Sequence, residues 1–225
     1  MKFIETLKLA VAAIWAHKLR SALTVLGIVI AGWASNNKYA LVGGLRSAGQ
    51  LISYEISMGM STIPVLLLAG NVSLNTIINQ QAWGGWNVVN LTVAFFIFMV
   101  AAFAETNRLP FDFAEAEAEL VAGYHTEYSG MRFALFFMAE YINMVTVSAV
   151  ATDLFLGGWH GPLLPESLGW IWFLLKVAAL LFFYVWMRWT LPRYRYDQLM
   201  RLGWKVLIPV AIANVVVTGI VKVLF

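Results

Sequence analysis

The chain predicts an all-α fold, a polytopic transmembrane helix bundle. Three observations point there: an excess of apolar residues, apolar runs of membrane length, and positive charge confined to alternate loops. Of its 225 residues, 61% are hydrophobic and only 12% charged, where a soluble domain carries about 45–50% and about 25%. A soluble fold of that make-up lacks the polar side chains to cover its outside. The mean hydropathy of +0.76 agrees. At about 100–200 residues per domain, the length allows one domain or at most two small ones.

A helix crossing a bilayer needs about 20 mostly apolar residues. Five clear spans qualify: Leu51–Gly70, Val88–Ala104, Phe133–Leu156, Leu168–Met187 and Val206–Leu224. A sixth run, Ser21–Trp33, is too short to cross alone. Before it, Ile4, Leu7, Val11, Ile14 and Trp15 recur at helical spacing among Lys2, Lys8, Lys18 and Arg20. That pattern predicts an amphipathic helix on the membrane surface. Ser21–Trp33 would then dip in and return, or pack against another subunit. Residues 1–25 are thus set apart as an atypical N-terminal segment from a membrane domain over 26–225.

Loop charge fixes an orientation. Residues 34–50 carry Lys38 and Arg46, and residues 105–132 carry Arg108 and Arg132. Residues 187–205 carry Arg188, Arg193, Arg195, Arg201 and Lys205, while 71–87 and 157–167 contain no Lys or Arg. The positive-inside rule places the first three loops in the cytoplasm. Trp83, Trp86, Trp159 and Trp170 would form the outer aromatic belt. The net charge of +3 follows from those loops and does not call for a nucleic-acid partner. With no Cys and His only at 17, 125 and 160, no thiolate metal site, iron–sulfur ligand set or histidine cluster is expected. No GxxxxGK[ST] or GxGxxG phosphate cradle occurs.

Six of the twelve acids, Glu105, Asp112, Glu115, Glu117, Glu119 and Glu127, crowd into one loop. Pro110 is expected to end the preceding helix, and Asp112 with Glu115 to cap a short new one. Asp112, Glu115 and Glu119 would share a face of that helix. A solvated surface helix is the plain alternative, but no Lys or Arg interrupts the acids between Arg108 and Arg132. Like charges crowded into partly dry ground hold protons more readily, which suits them to proton exchange.

Four ionisable residues fall inside spans: Glu55 about one turn in, Glu140, Asp153 and Lys176. Charges at such depth find partners or serve transport. The two readings are a structural pair, Glu140 with Lys176, and a polar route carrying protons. Asp153, Arg188 and Lys222, nearer span ends, are expected to reach for water. Gly43, Gly44 and Gly49 around Arg46 are expected to loosen the first loop. Pro192–Arg195 with Tyr194, Tyr196 and Asp197 would grip a partner subunit or lipid headgroups.

The segment AETNRLPFDFAEAEAELVAGYHTEYSGMRFALFFMAEY, from Ala104, closely resembles the H-subunit family of bacterial NADH:quinone oxidoreductase, respiratory complex I. Gly32–Ile56, Leu154–Pro162 and Leu191–Lys205 agree in order, so the likeness covers the chain from about Leu26 to Phe225. It implies a bacterial inner-membrane subunit that walls a quinone chamber and couples quinone reduction to proton translocation. It implies no redox centre, metal or covalent cofactor in this chain, with quinone as substrate. The implied partners are the lipid bilayer, the peripheral-arm quinone-site and iron–sulfur subunits, and the neighbouring membrane subunits. Carried over by motif, Glu55, Glu105, Asp112, Glu115, Glu117, Glu119, Glu127, Glu140 and Lys176 form the coupling route. Arg46, Arg108, Phe111, Tyr128 and Arg132 line the chamber. Family members carry further N-terminal helices, whereas Leu7–Gly32 here resembles the start of a macrolide-exporter-type ABC permease. The expectation is a chimera or aberrant N-terminus with one chamber wall open. The alternatives are a non-functional fragment and a transporter permease domain.

Overall fold

The computed structural model describes residue 23 and residues 25–112, 129–161 and 168–224. All regular structure among them is helical. In chain order the helices are α1 (Val25–Ala34), α2 (Lys38–Ala69), α3 (Leu74–Gly84), α4 (Asn87–Asn90), α5 (Thr92–Glu105), α6 (Met131–Phe155), α7 (Gly169–Thr190), α8 (Tyr196–Leu202) and α9 (Ile208–Leu224). A π-helical turn over Gly203–Leu207 joins α8 to α9. Four helices are long and apolar enough to cross a membrane: α2, α6, α7 and the continuous Tyr196–Leu224.

The organising helix is α2. Its 32 residues span about 48 Å, more than the roughly 30 Å of bilayer hydrocarbon. Half of its apolar window is buried, against 11% for α6. The core forms where α2 meets α5 and α9, around Tyr54, Met58 and Val65 of α2, Phe98 and Phe103 of α5, and Phe155 of α6. Phe95 and Phe98 both meet the Phe155 ring at 5.4 Å, and Phe103 meets Tyr184 at 4.1 Å. Such aromatic pairs contribute about 0.5–1.5 kcal/mol each beyond area burial.

Several sequence expectations change. The loop expected at 34–50 is the first half of α2, entered through a tight turn. Asn36 there has φ 49°, and the Asn37 side chain accepts from the Tyr39 amide at 3.0 Å. The glycines of this stretch permit close packing. A Cβ at Gly44 would stand 3.1 Å from the Ile28 carbonyl, and one at Gly32 would stand 2.8 Å from that of Ala40. α1 therefore folds back on α2 as a hairpin. Glu55 lies seventeen residues into α2, not one turn in.

The expected span Val88–Ala104 is broken at Leu91 (φ −123°, ψ 46°), leaving α5 with 14 residues, about 21 Å. Asn87 explains the break: its amide group donates to the Leu154 carbonyl at 2.9 Å, and its backbone N–H donates to Gln81 Oε1 at 3.2 Å. α5 ends at Glu105, ahead of Pro110, where Asn107 turns left-handed with φ 49°. The loop expected at 187–205 shrinks to residues 191–195. Residues 1–22, with most of the amphipathic and permease-like stretches, lie outside the described residues. So does the expected helix opened by Asp112.

Candidate functional site

The turn after α5 is the most heavily anchored polar feature of the bundle. Gln50 on α2 donates to the Ala104 carbonyl at 2.7 Å and to the Phe111 carbonyl at 2.9 Å. From the opposite side, the Tyr194 amide donates to the Pro110 carbonyl at 3.2 Å, and Arg193 donates to the Asp112 carbonyl. The Phe111 ring is held between Tyr54 at 6.1 Å and Tyr194, stacked at 5.8 Å. Tyr54 in turn donates its hydroxyl to the Leu199 carbonyl at 2.8 Å.

This turn buries charge. Glu105 is 7% exposed and lies beside Tyr184 and Thr106. Arg108 is 9% exposed; its Nε meets Glu140 Oε1 at 2.9 Å, and its guanidinium sits 4.4 Å from the Tyr141 ring centre. The Glu140 partner is therefore Arg108, and the pair with Lys176 does not form. The reason is topological: the turn brings Arg108 over α6, while Lys176 is taken at the other end of the bundle. A buried ion pair is tolerated only when its geometry and remaining bonds offset desolvation. Here Arg108 Nη2, Asn107 Oδ1, Gln50 Oε1 and Ser47 Oγ are buried without a hydrogen-bond partner among the described residues. Buried polar groups are normally satisfied, and these four leave bonding capacity at the turn for a water, a ligand or a neighbouring chain to meet.

Against the turn opens an apolar cavity of about 700 Å³, walled by Phe103, Pro110, Phe111, Tyr194, Leu199 and Val206 among others. That volume suits a small-molecule site. A second cavity of about 220 Å³ touches Glu55, with Thr62, Thr146 and Phe98 on its walls. Glu55 is five residues beyond Gln50, about 7.5 Å along α2 and on a different face.

Of the residues singled out from sequence, Glu105, Arg108, Phe111, Asp112 and Glu140 come together here. Arg46 lies nearby on α2, 5.8 Å from the Tyr196 ring centre. Arg132 is exposed at the start of α6. Glu115, Glu117, Glu119, Glu127 and Tyr128 lie outside the described residues. Lys176 stands apart. Its ammonium donates to the carbonyls of Leu156 at 2.6 Å, Gly158 at 2.9 Å and His160 at 2.6 Å, with Trp86 at 4.8 Å. All three of its donors are thereby engaged. Among the described residues no three His, Asp or Glu side chains group to hold a metal.

Sequence reasoning missed Gln50, Tyr54, Tyr141 and Tyr184, and singled out Tyr194 only as a grip for a partner subunit or lipid headgroups. One signal was available: Ser47, Gln50, Ser53, Ser57 and Ser61 recur at helical spacing and are all buried. A polar stripe in an otherwise apolar helix points inward, toward protein.

Residues 5–219 match the family model for NADH dehydrogenase. A Geobacter metallireducens protein, named as a second H subunit of NADH-quinone oxidoreductase, is 56% identical over 202 residues, 89% of this chain and 58% of its own length. The Protochlamydia amoebophila H subunit is 56% identical over 199 residues, 88% of this chain and 60% of its own. A second H subunit from Rhizobium meliloti is 50% identical over 219 residues, 97% of this chain and 65% of its own. The chain thus spans about three-fifths of the length of these relatives.

Proposed function

The chain belongs to the NADH dehydrogenase family, and from that premise we propose that it is a membrane subunit of a proton-translocating NADH:quinone oxidoreductase. In this reading the apolar cavity beside Phe111 receives quinone, and the carboxylates around the turn manage the protons. The rim bearing Arg108 and Arg193 faces the cytoplasm of a bacterial inner membrane, following the loop charges. Peripheral-arm subunits would dock there and deliver electrons from an iron–sulfur chain of their own.

Reducing a quinone to a quinol takes two electrons and two protons. The chain's own contribution is to wall the site and to hold proton carriers near it. Phe111 and Tyr194 offer flat apolar surfaces to a ring or an isoprenoid tail. Glu105 and Glu140, the latter tied to Arg108, bring carboxyl groups to the turn after α5. The acids of 115–127 continue from Asp112, the end of the anchored turn. Glu55, with Thr62 and Thr146 on its cavity walls, would extend the route into the membrane. This reading leaves Lys176 outside the route, since its ammonium is bonded to the Leu156, Gly158 and His160 carbonyls.

One observation carries this proposal: Phe111 is both a wall of the large apolar cavity and the anchor from which the acidic segment departs. In this reading, that shared residue is what would link a redox event in the cavity to the carboxylates. The test is inhibitor-sensitive NADH:quinone activity of the assembled complex in a strain lacking its own copy of this subunit. Glu115→Gln and Glu119→Gln are expected to lower turnover by about 100-fold, the low end for loss of a proton-transferring group. Phe111→Ala is expected to raise the quinone KM. Wild-type turnover and KM in all three would remove the proposal.

A further inference from the structure

Gln50 has no exposed surface, and both of its donors go to one structure. The two carbonyls that it holds, those of Ala104 and Phe111, bracket the turn carrying Glu105 and Arg108. A primary amide offers two N–H groups on a single nitrogen, which matches two carbonyls converging from either end of a turn. Leucine in its place would leave both carbonyls buried and unpaired, and glutamate would turn acceptors toward acceptors. Asparagine keeps both donors on a shorter arm.

The same helix carries Glu55 about 7.5 Å further along its axis. Gln50 and Glu55 share one continuous helix. A shift of the turn against α2 is therefore also a shift of Glu105 and Arg108 against Glu55. Tyr194 and Arg193 hold the turn from the opposite side, through the Pro110 and Asp112 carbonyls. On the α2 side Gln50 supplies the hydrogen bonds, beside the Tyr54 ring that meets Phe111.

We infer that Gln50 is a positioning residue: it sets the turn bearing Glu105 and Arg108 in register with the helix that bears Glu55. This rests on the quinone-chamber reading above. In the assembled complex, Gln50→Leu is expected to lower the kcat of quinone reduction about tenfold at an unchanged quinone KM, the signature of lost organisation and not of lost binding. Amide exchange over residues 105–112 is expected to quicken in the same variant. A raised KM with kcat intact would make Gln50 a wall of the quinone site and overturn the inference. So would unchanged kcat and KM per assembled complex. If Gln50→Leu does not assemble, Gln50→Asn is measured in the same way: a partial fall in kcat is expected, and full activity overturns the inference. Glu115→Gln and Glu119→Gln run in parallel separate the two failures. If they and Phe111→Ala have no effect, the chamber reading itself falls. If they lower turnover while the Gln50 variants do not, only the positioning role of Gln50 falls.

Discussion

At one end of the bundle, long polar side chains reach back to close helix ends. Lys176 gathers three carbonyls beyond α6, Gln81 donates to the Asp153 carbonyl at 2.9 Å, and Asn87 donates to that of Leu154. Lys222, itself exposed as expected, donates to the Leu67 and Leu68 carbonyls at the end of α2. The last carbonyls of a helix have no partner within it, and its C-terminus carries partial negative charge. A lysine there satisfies both needs. At the other end the polar groups are more numerous, more often charged and less completely bonded. They stand beside the larger cavity. The first rim buries one ammonium with all its donors engaged and leaves Asp153 Oδ1 and Trp172 Nε1 unpaired; the second buries both signs of charge and a larger group of unpaired atoms among the described residues. Proteins carry such frustration where chemistry is done. Ionisable residues within one apolar chain therefore divide by what their bonds accomplish, not by their depth.

The sharpest way to break that division is Lys176→Met. Leaving three buried carbonyls without their ammonium is expected to destabilise the chain by about 4 kcal/mol. The readouts are a lower thermal midpoint of the detergent-solubilised complex and less assembled enzyme in membranes. Turnover per assembled complex is expected to stay normal, and a selective loss of turnover would move Lys176 into the proton route. Arg108→Met comes next, at about 3 kcal/mol, because it removes the guanidinium from the buried Glu140 contact. Here turnover per complex is expected to fall as well. Combined with Glu140→Gln, it should show a coupling of about 1–3 kcal/mol in a double-mutant cycle. Strict additivity would mean the pair contributes nothing beyond its separate residues. Gln81→Leu is the mildest, about 2 kcal/mol for its lost bonds to the Asp153 carbonyl and the Asn87 N–H. Its effect should appear in the thermal midpoint alone.

Much of the architecture was legible from residue order. Long apolar helices announce themselves because helix formation and lipid solvation are both local properties of some twenty consecutive residues. Helix ends were less legible. Gly43, Gly44 and Gly49 suggested looseness, yet the first half of α2 needs small residues for α1 to approach, and a Cβ on Gly49 would stand 2.9 Å from the Tyr196 hydroxyl. Composition cannot distinguish a glycine that frees the backbone from one that makes room. The break at Leu91 was equally hidden, since it depends on Asn87 finding Gln81 and Leu154, the latter far along the chain.

For the site, Arg108, Phe111 and the acids stood out because charge and proline in an apolar chain are conspicuous. Gln50 did not, because a neutral amide is common in both loops and helices. The sequence by itself determined that this chain belongs in a bilayer, which segments are apolar enough to cross it, and where acidic side chains cluster, since each follows from the transfer free energy of neighbouring residues. Only the tertiary structure decided that Glu140 answers Arg108, that Lys176 closes a helix end, and that Gln50 holds the turn. Those choices join atoms remote along the chain, and which partner prevails depends on directions and distances that exist only once the helices have packed.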